Sequence, residues 1–511
     1  MQLFKLASIA ILTLTGAISC DLGFSSGTTE TSVSTDTTSF TTSPTTSSTD
    51  SEDMVVPDVV SSQEYLDFFS PASKVTINVT ITRTNLFLVE EYGLSGNELT
   101  DIYLPASIAI TVNNGTTTKD YNYAQVGIRL KGNLSRNDFI SDTGVIEDYA
   151  NFKISFDEFV DNQRFLDMAK LDLKWNRNWD HTYIRQVYAY KMFQDYIDMS
   201  ANATLGSFGI TQTGGFGSTN THMGVYNVVE VIDKRLIKRN YPKADAEGNL
   251  YKVTYNNLGP AEFRMNQAVT KNGSTYTRIP DGKIGIEDMS RNYRPSYDLK
   301  TNKTNPNYQD MANLIGYINS TTDYASSVFK TLLDASIDMD NFLLLEAVAY
   351  FMGNPDDMRN NYNNTYLYFE PSTSKAIFMP YDFDRAFGCN GNWDPTDNSM
   401  TTVGPFSNDA HGYGGNQYNM NPLYRTTVMS GGNSIYKNQF TGYLNQIMAG
   451  DWLKTTHFNA MYNSYRSNYL SEIVPDNGLE YISFSLTEVM ERNMTFSSYI
   501  SAKLATTNGA L

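Results

Sequence analysis

Residues 353–388 contain two short apolar segments, separated by turn-forming residues, that predict a β-hairpin. The segments are Thr365–Phe369 and Lys375–Pro380, and the sequence Pro-Ser-Thr-Ser at residues 371–374 lies between them. Aromatic and β-branched residues favour strands, whereas Pro and Ser favour turns. A hairpin brings its two outer ends together. The residues just before the first strand are therefore expected beside those just after the second.

Carboxylates and an amide lie at both of these outer ends. Asp356, Asp357 and Asn361 precede the first predicted strand, and Asp382 and Asp384 follow the second. Their oxygens suit a hard cation such as Mg²⁺ or Mn²⁺, which shares its other positions with water and phosphate oxygens. The sequence therefore predicts a metal site formed by local topology. The alternative is that these residues are simply turn formers, since Asp and Asn are common in turns.

The spacing of these residues is also informative. The interval from Asp356 to Asn361 equals that between the catalytic-loop Asp and the metal-binding Asn of protein kinases. Asp382 follows a hairpin, as the second metal-binding Asp does in those enzymes. This pattern favours phosphoryl transfer.

The order of the predicted elements favours a β-rich part followed by a helical part. Alternating or apolar segments predict strands at Lys74–Thr82, Ile102–Val112 and Tyr123–Leu130, and helical periodicity appears at Thr182–Met199, Asp338–Tyr350, Ser434–Ala449 and Phe458–Ile473. We therefore expect an α+β protein with an atypical two-lobed protein-kinase-like fold. Its β-rich N-terminal lobe would cover about residues 63–255 and its mainly helical C-terminal lobe about residues 256–505.

Two further residues are candidates for a nucleotide site. In the predicted strand at residues 151–156, Phe152, Ile154 and Phe156 share one face, which places Lys153 on the other. Lys153 is either a phosphate-binding lysine, as on a kinase strand upstream of a helix, or a solvated lysine. Glu230 ends a strand before the basic helix Ile232–Arg239, and it either faces a ligand or pairs with that helix.

The N-terminal residues predict export and a surface anchor. Residues 1–20 combine Lys5, an apolar segment too short to span a bilayer, and a terminal Cys20. We expect a lipoprotein signal with lipidation of Cys20, the alternative being an ordinary cleaved signal. Residues 21–62 are rich in Ser and Thr and predict a disordered linker. The protein would then be extracytoplasmic and held at the cell surface.

The acidic balance excludes one class of partner. The net charge is −17 and the isoelectric point is about 4.7, whereas nonspecific nucleic-acid binding depends on clustered Lys and Arg. We expect no nucleic-acid partner. The four histidines show no zinc-binding spacing, so zinc chemistry is not expected.

Taken in order, these segments resemble the CotH family of atypical protein kinases, which are secreted and spore-coat proteins. The resemblance covers about residues 75–473. The segments that carry it are Gly127–Arg136 (GIRLKGNLSR), Asn151–Ile154 (NFKI), Gly224–Glu230 with Ile232–Arg239, Gly353–Asp356 with Asn360–Tyr362, and Pro380–Gly388 (PYDFDRAFG).

The resemblance implies ATP and Mg²⁺ or Mn²⁺ as cofactors and Ser or Thr hydroxyls of a protein as the acceptor. Asp356 would be the catalytic base, with Asp357 as its competitor because a one-residue slip in the loop exchanges them. The other implied roles are metal binding for Asn361, Asp382 and Asp384, and cofactor binding for Lys153, Arg129, Arg136 and Glu230.

Two other functions remain open from the sequence. A surface adhesion or coat-structural module could use the same fold without catalysis, because a fold does not determine a function. A two-carboxylate glycosidase explains the acidic residues, but it explains neither the lysine strand nor the interval from Asp356 to Asn361.

Overall fold

The computed structural model describes most of the chain from residue 62 to the C-terminus. The described residues are 62–94, 100–132, 135–214, 217–255, 258–265, 269–271, 274–276, 282–291, 293–321, 323–389, 400–407, 423–424, 427–428, 431–491 and 493–511. The predicted signal segment, Cys20 and nearly all of the predicted linker lie outside them. Within these residues, no helix is both long enough and apolar enough to cross a bilayer.

Seven strands form a closed barrel in the order β1-β2-β3-β4-β5-β7-β6. Neighbouring strands are antiparallel except β1 and β6, whose parallel pairing closes the barrel. The strands are β1 (Lys74–Thr82), β2 (Leu104–Asn113), β3 (Thr118–Leu130), β4 (Phe152–Ser155), β5 (Lys170–Lys174), β6 (Ala203–Thr213) and β7 (Thr219–Glu230).

The barrel is filled by one face of each strand. In β1, Val75, Ile77, Val79 and Ile81 are buried, whereas Thr76 and the other residues between them are at least partly accessible. Successive side chains of a strand point to opposite faces, so this alternation directs one apolar row inward. The inward side chains of the other strands join the same hydrophobic cluster.

A second sheet and a set of helices form the rest of the described structure. The sheet has the order β11-β12-β8-β13-β14, and β9 and β10 form a separate pair. These strands are β8 (Leu250–Val253), β9 (Val269–Lys271), β10 (Ser274–Tyr276), β11 (Ile284–Gly285), β12 (Tyr297–Leu299), β13 (Thr365–Phe369) and β14 (Ala376–Pro380). Residues of the five-stranded sheet and of most of the helices form a second hydrophobic cluster.

The helices are α1 (Gln63–Phe68), α2 (Arg83–Leu94), α3 (Arg185–Tyr196), α4 (Lys234–Asn240), α5 (Gln309–Ile318), α6 (Ser327–Ser336), α7 (Met339–Met352), α8 (Met358–Asn361), α9 (Ser434–Ala449), α10 (Thr455–Tyr469) and α11 (Phe496–Ala510). Short 3₁₀ turns occur at Lys243–Asp245, Met289–Arg291 and Leu470–Glu472.

The buried helix α7 delivers the chain to the loop before β13. It ends at Gly353, whose φ of 59° is in the left-handed region that glycine adopts most readily. A Cβ atom at this position would lie 2.1 Å from the Tyr499 hydroxyl oxygen. Glycine therefore permits both the turn and the close packing of the last helix.

The predicted two-lobed kinase-like fold is wrong. The N-terminal strands form a closed seven-stranded barrel, and the second half of the chain contributes strands as well as helices. The predicted division near residue 255 also falls within a sheet, because β8 pairs with β13. The sequence showed the strands but not the closure, since the parallel β1–β6 pairing joins residues 76–82 to residues 207–213.

Several individual elements were predicted correctly. Strands β1 and β13 and helix α9 have the predicted bounds, and β14 begins one residue later than predicted. These elements have strong local periodicity, which does not depend on how the strands later associate.

Barrel closure should make the inner face of β1 far more sensitive to mutation than its outer face. Ile77 is 1% exposed and its strand pairs on both sides, so Ile77→Ala should lower the free energy of unfolding by about 2–5 kcal/mol. Thr76→Ala, on the exposed face of the same strand, should change it by about 0.5 kcal/mol or less. Urea denaturation measures both values, and equal losses would contradict the closed barrel.

Candidate active site

The hairpin β13–β14 brings its two outer ends together, as the sequence predicted. Thr365 pairs with Pro380 at the open end of the hairpin. The loop before it contacts the residues after it, because Asn354 Nδ2 donates a hydrogen bond of 3.0 Å to the backbone oxygen of Asp382. The candidate residues on either side of the hairpin therefore share one region.

Asp356 is positioned by amide side chains from its own loop. Its Oδ1 accepts hydrogen bonds from Asn361 Nδ2 at 2.7 Å and from Asn363 Nδ2 at 2.9 Å. Burial raises the pKa of Asp356 to about 6, and the negative charges of Asp382 and Asp384 add to that increase. A partly accessible carboxylate with such a pKa is suited to accept a proton near neutral pH.

Asp357 has a different role from its neighbour. It is the N-cap of α8, and its Oδ1 accepts hydrogen bonds from the backbone nitrogen of Asn360 at 2.7 Å and from the Asn360 side chain at 2.9 Å. Burial, followed by the charge of Glu346, raises the pKa of Asp357 to about 8. Between the two candidates for the base, the geometry favours Asp356 and makes Asp357 a support of the loop.

Asp382 and Asp384 converge on a single cation, the ammonium group of Lys174. Asp382 Oδ1 forms an ion pair with Lys174 Nζ, and Asp384 Oδ2 lies 3.4 Å from the same nitrogen. Burial opposes ionisation of Asp382, but the Lys174 ammonium holds its pKa below the usual range. Asp382 has a φ of 61°, in the left-handed region that Asp adopts more readily than most non-glycine residues.

These residues have suitable chemistry for a hard divalent cation. Two carboxylate oxygens already point to one cationic centre, and Asn361 Oδ1 is a buried oxygen with no hydrogen-bond partner among the described residues. Among those residues, no group of three or more His, Cys, Asp or Glu side chains is placed to hold a metal. A cation at this position would therefore draw on two carboxylates, the Asn361 amide and water.

The predicted lysine strand is part of a row of charges across the outer face of the barrel. Arg129 lies opposite Lys153, which lies opposite Asp172. Lys153 Nζ is 3.4 Å from Asp172 Oδ1, and Lys131 Nζ is 3.1 Å from Asp172 Oδ2. Burial lowers the pKa of Lys153 to about 7, although Asp172 opposes this effect.

Sequence reasoning missed Asp172, the carboxylate partner of Lys153. The residues of β5 read Lys-Leu-Asp-Leu-Lys, and Leu171 and Leu173 fill the barrel while Asp172 and Lys174 face outward. The alternation of apolar and charged residues along β5 was the sequence signal that could have identified Asp172 as an outward-facing residue. It identifies the outward residues but not the strand beside which they lie.

Arg129 and Arg136 meet at Asp101. Arg129 Nη1 is 2.7 Å and Arg136 Nη2 is 2.6 Å from Asp101 Oδ1. Arg136 also donates hydrogen bonds to the backbone oxygens of Gly132 and Thr100. The structure thus brings both predicted arginines together at Asp101. Arg129 also lies opposite Lys153, and Arg136 is hydrogen-bonded to Gly132 at the start of the loop between β3 and β4.

Lys252, on β8, is a further cation that sequence reasoning missed. Its Nζ lies 5.4 Å from the centre of the Tyr381 ring, at the same distance as Lys131 Nζ. In the part of the chain that the structure describes, Lys252 has no carboxylate within ion-pair distance. Burial, followed by the charges of Lys300 and Lys131, lowers its pKa to about 8.

Glu230 is not brought to this cluster. It lies opposite Leu171, whereas Asp172 lies opposite Val229, so Glu230 and Asp172 point to opposite faces of the barrel wall. Its carboxylate forms an ion pair with Arg239 and accepts a hydrogen bond of 2.7 Å from the Tyr65 hydroxyl. Of the two sequence interpretations, pairing with the basic helix is the one that the structure favours.

Comparison with known families gives a match. The model for the family described as CotH kinase protein matches residues 128–495, more than half of the chain. The matched range contains every candidate catalytic, metal-binding and cofactor-binding residue named above from the sequence. A search of curated proteins finds no match to this chain.

The position of Glu230 predicts a structural effect without a binding effect. Glu230→Gln removes the charge that neutralises Arg239 and should lower the free energy of unfolding by about 3 kcal/mol. Affinity for a nucleotide should stay within about twofold, because Glu230 faces away from the basic cluster. Denaturation and isothermal titration calorimetry test this, with Asp172→Asn as the comparison within the cluster. Weaker binding by Glu230→Gln at unchanged stability would assign Glu230 to the site.

Proposed function

Because the chain belongs to the CotH kinase protein family, we propose that it transfers the γ-phosphoryl group of ATP to Ser or Thr hydroxyls. Its acceptors would be secreted or cell-surface proteins. The observation that supports the proposal is that two sets of residues with different chemistry lie side by side. A basic cluster suited to phosphates lies beside a set of oxygen ligands and a carboxylate suited to act as a base.

The basic cluster has an excess of positive charge. Five basic side chains, those of Arg129, Arg136, Lys131, Lys153 and Lys252, lie near four carboxylates. Asp101 and Asp172 form ion pairs with four of them, and the charges of Glu287 and Asp382 act on Lys252 and Lys131. Largely buried ammonium groups with few counter-ions are unfavourable until an anion binds. A triphosphate supplies several negative charges in a row, and this excess supports it as the ligand.

Asp382, Asp384 and Asn361 would hold Mg²⁺ or Mn²⁺, which when bound would neutralise charge on the phosphates. Asp356 would accept the proton of the acceptor hydroxyl. The hydroxyl oxygen forms the new bond to the γ-phosphorus, the bond from that phosphorus to the β–γ bridging oxygen breaks, and ADP leaves with that oxygen. Catalysis of this kind rests on positioning and charge stabilisation.

We place the enzyme outside the cytoplasm, at the cell surface. The sequence of residues 1–20 supports export, and Cys20 would carry a lipid anchor. The Ser- and Thr-rich linker would then separate the folded part from the membrane. An acceptor protein at the same surface would be the partner.

A non-catalytic binding module is the alternative, and one observation favours it. The Lys174 ammonium already pairs with both Asp382 and Asp384, so each carboxylate has a cationic partner without any metal. A surface adhesion or coat-structural protein could keep such a cluster for stability alone. Metal-dependent binding of ATP separates the two functions.

Phosphoryl transfer should depend on Asp356 and hardly on Asp357. With radiolabelled ATP, Mg²⁺ or Mn²⁺ and an added Ser- and Thr-rich acceptor protein, Asp356→Asn should slow labelling by about 100- to 10,000-fold. Asp357→Asn should slow it by less than about tenfold, because Asn also caps a helix well. Asp382→Ala should abolish labelling.

Two results of the same assay would contradict the proposal. Labelling that persists at the wild-type rate in Asp356→Asn would remove Asp356 as the base. No labelling by the wild type, with no metal-dependent change in melting temperature on adding ATP, would favour the binding module.

Lys252 should contribute to affinity for the phosphates. Lys252→Met should raise the Kd for ATP by about 10- to 100-fold, because a charge-assisted interaction is lost, and should leave the Kd for adenosine unchanged. Lys454→Met is the matched control, since it makes the same change at a lysine side chain that is 55% exposed. Equal weakening of ATP and adenosine binding by Lys252→Met would contradict a phosphate contact.

A further inference from the structure

Lys174 occupies the position that a metal would take between Asp382 and Asp384. Its side chain is 5% exposed, and its ammonium contacts both carboxylates. A divalent cation and this ammonium cannot share the same oxygens, because like charges at contact distance repel strongly. Metal binding therefore requires Lys174 to move.

A polar cavity lies next to this ion pair. Its wall includes Asp384, Gln186 and Asn227, and it is open to solvent on one side. Asn227 lies opposite Lys174 in the pairing of β5 with β7. The Lys174 ammonium, 3.4 Å from Asp384 Oδ2, is therefore close to the cavity.

Asn227 offers an acceptor that lacks a donor. The residue is 5% exposed, and its Oδ1 is buried with no hydrogen-bond partner among the described residues. Buried amide oxygens are nearly always hydrogen-bonded, so an unpaired one calls for an explanation. An ammonium group with three donors, attached to the neighbouring strand, would satisfy it.

We propose that Lys174 has two positions, one between Asp382 and Asp384 when no metal is bound and one at Asn227 Oδ1 when a divalent cation takes its place. The first position keeps the two carboxylates from repelling each other in the empty site. The second keeps the displaced ammonium hydrogen-bonded inside the protein. This inference rests on the metal site of the proposed function.

Metal binding without nucleotide tests the two positions directly. Mn²⁺ affinity of the full chain is measured by electron paramagnetic resonance for the wild type, Lys174→Met, Asn227→Leu and the double variant. Lys174→Met should lower the Kd about tenfold or more, because nothing then competes with Mn²⁺ for the carboxylates. Asn227→Leu should raise the Kd by about fivefold or more, because the displaced ammonium loses its acceptor. In the Lys174→Met background, Asn227→Leu should have no effect.

The test is whether the effect of Asn227→Leu on the Kd for Mn²⁺ depends on the presence of Lys174. An unchanged Kd in Asn227→Leu, or an equal change in both backgrounds, would overturn the two positions while leaving the metal site in place. If neither the wild type nor Lys174→Met binds Mn²⁺, the inference and the metal site of the proposed function both fail. Should Lys174→Met not fold, as judged by its melting curve, an unchanged Kd in Asn227→Leu alone overturns the inference. Lys454→Met controls for the change in net charge.

Discussion

The alternation of side chains along strand β5 connects the core of the barrel to the candidate active site. Leu171 and Leu173 fill the barrel interior, and the residues between and after them, Asp172 and Lys174, face outward. Asp172 holds the basic cluster together, and Lys174 neutralises the carboxylates that follow the hairpin. A shift of one residue in this strand would exchange the two faces and disrupt both the core and the site.

The acidic charge of the whole chain and the basic character of its candidate site are compatible because the cations are locally concentrated. A net charge of −17 disfavours a general affinity for polyanions. Lys131, Lys153 and Lys252 nevertheless lie near one another around Asp172 and Tyr381. Local geometry, rather than net charge, determines which anion can bind. The triphosphate of the proposed function would bind to this local concentration of cations.

The sequence predicted the parts of the site that depend on local topology and missed those that depend on long-range pairing. Asp356 and Asp382 were placed together because one hairpin separates them. Lys252 was missed because it joins the site only through the pairing of β8 with β13, more than 100 residues away. The closed barrel was missed for the same reason, since its closing strands β1 and β6 are far apart in the chain. Glu230 had two interpretations, and its register against Leu171 and its ion pair with Arg239 distinguish them.

Adjacent residues of the same type acquire different chemistry in this structure. Asp356 and Asp357 are neighbours, and the sequence alone could not assign the base to either. Asp357 directs its carboxylate to the start of α8, where the backbone and side chain of Asn360 occupy it. Asp356 receives only side-chain amides, one of them from Asn361, whose own oxygen remains available. The cap on α8 thus fixes Asn361, and Asn361 fixes Asp356. Under the proposed function, the carboxylate that caps α8 would therefore be the one that positions the proposed base beside it.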